Sequence, residues 1–227
     1  MENNKIKELF KNWNFEINFL GYEKMFKASV LVPLVIVNDE LSILFQVRAK
    51  HIKQGGEVSF PGGKVDKEDK DFASTALRET HEELGLSLDK IHVKGQLDTL
   101  LTPFNSIIGA YIGFLDINSL DDLDINKAEV EKVFLVPLKW FYENKPSVYS
   151  IHLESHPSIK DADGNIVETF PAKKLGLPEV YHKSWMTSSR EILLYEYKGE
   201  KIWGFTALFL QNALDKLEEL RVEEFFK

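Results

Sequence analysis

Cysteine is missing from all 227 positions, which excludes disulfides and thiol catalysis and fits a reducing compartment. No stretch of 18 consecutive apolar residues occurs, so no membrane span is expected. The opening Met1-Glu2-Asn3-Asn4-Lys5 is polar and lacks the apolar region of a signal peptide. The closing Glu224-Phe225-Phe226-Lys227 is not a peroxisomal tripeptide, and a cytoplasmic location is the expectation. Excess positive charge is also absent. A net charge of −8 argues against a sequence-independent grip on nucleic-acid backbone. The six histidines form no spacing typical of zinc. There is no internal repeat and no low-complexity tract. What remains is 44% hydrophobic, enough to bury the core of one large domain or of a domain with insertions.

The most informative stretch is Arg78-Glu79-Thr80-His81-Glu82-Glu83-Leu84-Gly85-Leu86. On a helix, Glu79, Glu82 and Glu83 fall within a narrow arc. Ala73, Leu77, Thr80 and Leu84 fall on roughly the opposite face and form the expected buried stripe. Like charges at this spacing repel by a few tenths of a kcal/mol per pair on an open surface, so something positive belongs over them. An all-carboxylate set suits Mg²⁺ or Mn²⁺ better than zinc. Alone, the pattern also fits a solvated helix face. The glycine turn Phe60-Pro61-Gly62-Gly63-Lys64-Val65-Asp66 just upstream favours the metal reading, because glycines let backbone approach a ligand and offer carbonyl oxygens.

Around these motifs the chain alternates between strand and helix patterns. Residues 4–13 read as a short helix within an N-terminal helical extension over 1–27. Residues 28–37 and 41–48 read as a hairpin about Asn38-Asp39-Glu40, with Pro33 indicating a bulge or an edge position. A helix is expected over about 71–85 with Gly85 as its C-cap, and strands over 91–101, 107–115 and 130–136. A short helix follows at 137–144, and an amphipathic one at about 205–222. The main domain spans 28–222. Its odd stretch, 145–190, holds possible strands at 147–153 and 191–197 and reads as an insertion near the site or at a homodimer contact, or else as a disordered loop. The mixed order indicates an α/β or α+β fold with a mixed sheet.

The stretch Gly63 to Leu86 resembles a Nudix box: G, five residues, E, seven residues, then R-E-U-x-E-E-x-G-U, with U apolar. Thr80 stands where an aliphatic residue is usual, Asp69 replaces the first Glu, and eight residues rather than seven separate it from Arg78. This longer form is similar to the coenzyme A diphosphatase branch. So are Glu57-Val58-Ser59, Leu44-Phe45-Gln46-Val47-Arg48-Ala49, Glu129 to Leu138 and Ile202-Trp203-Gly204-Phe205-Thr206-Ala207. Where that branch has a second Arg, this chain has Lys53, in a loop one residue shorter. Lys keeps the charge and loses the bidentate fork.

The resemblance implies an α/β/α Nudix sandwich and metal-dependent hydrolysis of a diphosphate, with Mg²⁺ or Mn²⁺ as cofactor. The expected substrate is a small nucleotide, coenzyme A or its acyl form, split into adenosine 3′,5′-bisphosphate and 4′-phosphopantetheine. The alternatives are another nucleoside diphosphate derivative such as ADP-ribose, or a binding module without hydrolysis. Position by position, Glu79 and Glu83 become the principal metal ligands, and Glu82 a third ligand or the group orienting the water. The Gly63 carbonyl is a further candidate ligand. Glu129, ahead of Glu131, is the candidate distant carboxylate. Arg78 is expected to pair with a carboxylate and hold the helix, and His81 to lie on the surface. Arg48, Lys53 and Lys64 are the candidate phosphate contacts. Trp185 and Tyr181 are candidates to stack on adenine, and Trp203 is expected to be structural.

Overall fold

Two β-branched runs set the centre of the sheet. In the computed structural model, which describes residues 19–222 and Glu224, they form β1 (Phe26–Val37) and β2 (Glu40–Arg48). Asn38 and Asp39 connect them at φ 53 and 62, the left-handed pair that a two-residue hairpin demands and that these side chains tolerate. β1 begins at Phe26, two residues ahead of the expected boundary, after a 3-10 turn at Tyr22–Lys24. The helix expected over 4–13 lies outside the described residues.

Next come β3 (Val58–Ser59), β4 (Gly62–Lys64), α1 (Phe72–Leu84), β5 (Ile91–Gln96), β6 (Leu100–Thr102) and β7 (Ser106–Leu115). β8 (Val130–Pro137) and α2 (Leu138–Glu143) follow. The single strand expected over 91–101 is thus two, broken after Gln96. Strands β3, β2, β1, β7 and β5 lie in that order, with β4 on β1, β6 on β7 and β8 on β2. β1 and β7 are parallel and the other pairs antiparallel, so the sheet is mixed.

Pro33 occupies neither an edge nor a bulge. It pairs with Gly113 in the uninterrupted β1–β7 register. The Leu31 N–H points the other way, to the Pro61 carbonyl. The Pro33 nitrogen, two residues on, faces that same side. There β4 pairing ends at Val30 and β2 pairing starts at Leu34. The missing donor therefore falls in a gap between two strands.

Both faces of the sheet are covered. Leu31, Val35 and Leu44 pack with Ala76 and Leu84 of α1. Their alternating neighbours Val32, Leu34, Ile43 and Phe45 pack with Phe141 of α2 and with Ala207, Leu210 and Leu214 of the last helix, α3 (Gly204–Glu219). Period-two alternation thus sends successive residues to opposite layers, which makes an α/β/α sandwich.

The stretch 145–190 is not a structureless loop. It carries β9 (Ser147–Ser155), the hairpin of β10 (Ser158–Lys160) and β11 (Ile166–Glu168), and the first part of β12 (Trp185–Tyr197). β12 starts six residues before the expected 191 and lies between β9 and β13 (Glu200–Trp203) in a second sheet. Among the described residues no helix is long and apolar enough to cross a membrane.

Candidate active site

The acidic helix is fixed at both ends by local chemistry. Asp71 caps it by accepting from the Ser74 N–H at 2.7 Å, while the Asp71 N–H donates to Ser74 Oγ at 3.0 Å. Gly85 closes it at φ 63, donating to the His81 carbonyl. A side chain at Gly85 would also strike the Asp124 carbonyl. His81 is exposed, and its Nδ1 lies 2.8 Å from the Leu86 carbonyl.

The buried stripe is not quite the expected one. Thr75, Ala76, Thr80 and Leu84 are buried, Ala73 and Leu77 only half so, and Glu83 joins them at 3% exposure. Thr80 stands in for an aliphatic residue because its hydroxyl bonds the Ala76 carbonyl at 2.7 Å, leaving only its methyl to pack. The acidic face turns inward onto the glycine turn. Glu83 Oε2 accepts from the Gly62 N–H at 2.8 Å. A Cβ placed on Gly63 would come within 2.5 Å of the Glu79 carboxyl, so a side chain there would displace that carboxyl. Glu79 keeps 14% of its side chain exposed and Glu82 keeps 50%.

Arg78 ties this corner together. Its Nε and Nη2 hold Asp69 at 3.0 and 2.9 Å, and Nη2 also donates to the Lys64 carbonyl at 3.1 Å. Its Nη1 reaches Glu79 at 2.8 Å and Glu82 at 3.0 Å. The guanidinium holds Asp69 well below the usual carboxylate range, and the carboxylates push Arg78 further up.

Glu83 is in the opposite situation. Burial pushes its carboxyl up to about 7; the Gly62 N–H and the nearby Gln46 amide counter this, while the charges of Glu79 and Glu129 add to it. Glu79 is likewise raised, by burial first, with Arg78 opposing and Glu82 and Glu129 adding. Glu129, exposed in the turn before β8, is therefore within electrostatic reach of both. Glu131 instead pairs with Lys50 at 3.3 Å.

Sequence reasoning missed a buried polar row beneath the turn. Ser29 faces Gly63 across β1–β4, and Gln46 faces Ser59 across β2–β3. Among the described residues, Ser29 Oγ, Ser59 Oγ and both polar atoms of Gln46 are buried without a hydrogen bond of acceptable geometry. Gln46 was visible as a lone amide in the apolar run Leu44-Phe45-Gln46-Val47. The unpartnered oxygens of Ser29, Ser59 and Gln46, beside self-repelling carboxylates, suit a hard divalent cation. Among the described residues, no three acidic or histidine side chains are gathered as a ready-made metal site; Glu79 and Glu82 are both engaged by Arg78 Nη1.

Next to the turn lies a cavity of about 460 Å³, walled partly by β3, which runs directly into Phe60-Pro61-Gly62. Arg48 lines it, its Nε donating to the Lys53 carbonyl at 3.2 Å. Lys53 and Lys64 are not in its lining. Trp203, expected to be structural, is 44% exposed and lines the cavity. Trp185 and Tyr181 are outside it and pack on each other, ring centres 5.6 Å apart.

A NUDIX domain model matches residues 25–156. The chain is 41% identical over 124 residues to the peroxisomal coenzyme A diphosphatase NUDT7 of Mus musculus, covering 54% of this chain and 51% of that protein. It thus spans about half the length of that relative. It is 37% identical over 199 residues to the uncharacterized Nudix hydrolase NudL of Yersinia pestis (strain Pestoides F), covering 84% and 79%. The NUDIX domain of Shewanella oneidensis NrtR, solved with ADP ribose, superposes with a TM-score of 0.42 at 20% identity, covering 60% of this chain and 86% of that one. With its glycine turn, capped acidic helix and α/β/α layers, the chain belongs to the Nudix hydrolase family.

Proposed function

We propose that this chain hydrolyses the diphosphate bond of coenzyme A or acyl-coenzyme A, releasing adenosine 3′,5′-bisphosphate and 4′-phosphopantetheine or its acyl form. The observation that carries the reading is Glu83, buried on the Gly62 N–H within the fields of Glu79 and Glu129. Such a group calls for a cation, and Nudix hydrolases generally need divalent metal ions. Glu79 and Glu83 would hold Mg²⁺ or Mn²⁺, with Glu82 and the Gly63 carbonyl as further donors. Bound there, the ion would neutralise phosphate charge and activate a water.

The chain's own groups do the rest. Glu129, left without an ion-pair partner among the described residues, accepts the proton of the attacking water as the new P–O bond forms and the bridging P–O bond breaks. Glu82 helps orient that water once it leaves Arg78. Arg78 itself stays on Asp69 and keeps the helix seated. Arg48 meets substrate phosphate at the cavity; Lys53, five residues on, and Lys64, at the end of β4, are the further candidate phosphate contacts. The name of NUDT7 supports coenzyme A as the substrate.

A second reading, hydrolysis of ADP-ribose or a dinucleotide, is favoured by the Lys53–Gly56 loop, one residue shorter than in the coenzyme A branch and with Lys53 where that branch has a second Arg. Mass-spectrometric analysis of products from coenzyme A, an acyl-coenzyme A, ADP-ribose and a dinucleotide, with Mg²⁺, Mn²⁺ or chelator, separates them. Metal-dependent release of adenosine 3′,5′-bisphosphate is expected. Faster turnover of ADP-ribose than of either coenzyme A substrate would overturn the proposal.

A further inference from the structure

The second sheet brings another guanidinium to the cavity. Arg190 of β12, in register with Ile151 of β9, lines the cavity together with Arg48. Among the described residues Arg190 makes no ion pair and no side-chain hydrogen bond, and Arg48 has no acidic partner. Glu57 and Glu191 also border the cavity, and neither is within ion-pair distance of these arginines. A half-buried guanidinium presents five donors in a fixed fork that matches phosphate oxygens, and here the fork is unused.

The remaining wall offers flat apolar area. Trp203 and Phe205 are 44% and 38% exposed, where large rings are ordinarily covered. Two guanidinium groups beside exposed rings form the chemistry of a phosphorylated nucleoside site: rings stack on a base and a fork takes a terminal phosphate. An acyl chain would cover the rings, leave the Arg190 fork without an acceptor and leave Arg48 with the Lys53 carbonyl alone. The volume, about 460 Å³, falls within the usual range for small-molecule sites.

We propose that the cavity takes the adenosine half of the substrate and that Arg190 is the residue that reads its 3′-phosphate. This rests on the coenzyme A reading above and adds the residue that would distinguish that substrate from nucleotides lacking the 3′-phosphate.

Calorimetric titration with adenosine 3′,5′-bisphosphate and with adenosine 5′-monophosphate tests this without turnover. The wild-type protein is expected to bind the bisphosphate at least about tenfold more tightly, the ratio one charge-assisted hydrogen bond supplies. Arg190→Gln should bring that ratio close to one, and Arg190→Lys should keep part of it. Equal wild-type affinities, or an unchanged ratio in Arg190→Gln, would overturn the assignment. Because the readout is a ratio within one protein, a general loss of stability does not imitate it. Coenzyme A turnover is measured alongside. If wild type keeps the tenfold preference but does not cleave coenzyme A, only the substrate reading fails. If it cleaves coenzyme A and Arg190→Gln keeps the ratio, only the Arg190 assignment fails.

Discussion

Glu83 Oε2 sits 2.8 Å from the Gly62 N–H, and this bond joins the acidic helix to the glycine turn across 21 residues of sequence. It anchors the carboxylate, yet one neutral donor does not offset the loss of water around a group only 3% exposed. Glu83→Gln keeps an oxygen for Gly62 and removes the charge. Activity should fall by at least about a hundredfold, roughly 3 kcal/mol of barrier, with the fold intact. Near-normal turnover with an unchanged circular dichroism spectrum would remove Glu83 from the metal set.

The same residue sets a pH dependence. Its carboxyl is raised from 4.5 to about 7 on folding, so the folded state binds the extra proton between those values. Without metal, stability should therefore decline as pH rises from about 5 to 8, by up to about 3 kcal/mol. Glu83→Gln should flatten the decline, and Mg²⁺ should raise the wild-type melting temperature at pH 8 but not that of the variant. Thermal melts of both proteins across this range, with and without Mg²⁺, check each point.

Glycine-to-alanine changes should separate chemistry from scaffold. At Gly63 the new methyl meets the Glu79 carboxyl, the movable end of a side chain, so the main loss should be activity. At Gly85 it meets the Asp124 backbone at φ 63, where neither partner moves cheaply. Gly85→Ala should cost about 1–3 kcal/mol of stability. Paired urea melts and rate measurements should show opposite profiles.

These contrasts also mark what the sequence could reveal. The helix from Asp71 to Gly85 was legible because its cap, period and terminating glycine are all local. So was the β1–β2 hairpin, whose Asn38-Asp39 turn carries its own conformational signature. The inward turn of Glu83 was not legible: helical spacing groups it with Glu79 and Glu82, and only packing against β2 and β4 buries it. Trp203 was misjudged for a similar reason. A tryptophan between strand and helix is usually covered, but here the second sheet leaves a cavity over it, which also made Arg190 invisible from sequence.

Arg78 holds Asp69 with two donors and bridges Glu79 and Glu82 with a third. Lys cannot reproduce that fork. Arg78→Lys should lose about 1–2 kcal/mol at neutral pH. Asp69 is depressed on folding, so its contribution is present above the ordinary carboxylate range and lost in strong acid. The gap between wild type and variant should accordingly narrow toward acid, as denaturant melts at neutral and low pH would show. A gap independent of pH would mean that Arg78 acts mainly by packing.

Glu129 and Glu131 offer the last comparison, being two residues apart with different surroundings. Glu131 is occupied by Lys50, whereas the charge of Glu129 is felt by both Glu79 and Glu83. If Glu129 takes the proton from the attacking water, Glu129→Gln should lower kcat by about 10²–10⁴ with little change in KM. Glu131→Gln should stay within about threefold of wild type, since an exposed pair is worth little. The reverse pattern would move the base to Glu131, and equal modest losses would leave both as surface charges, with the proton going elsewhere.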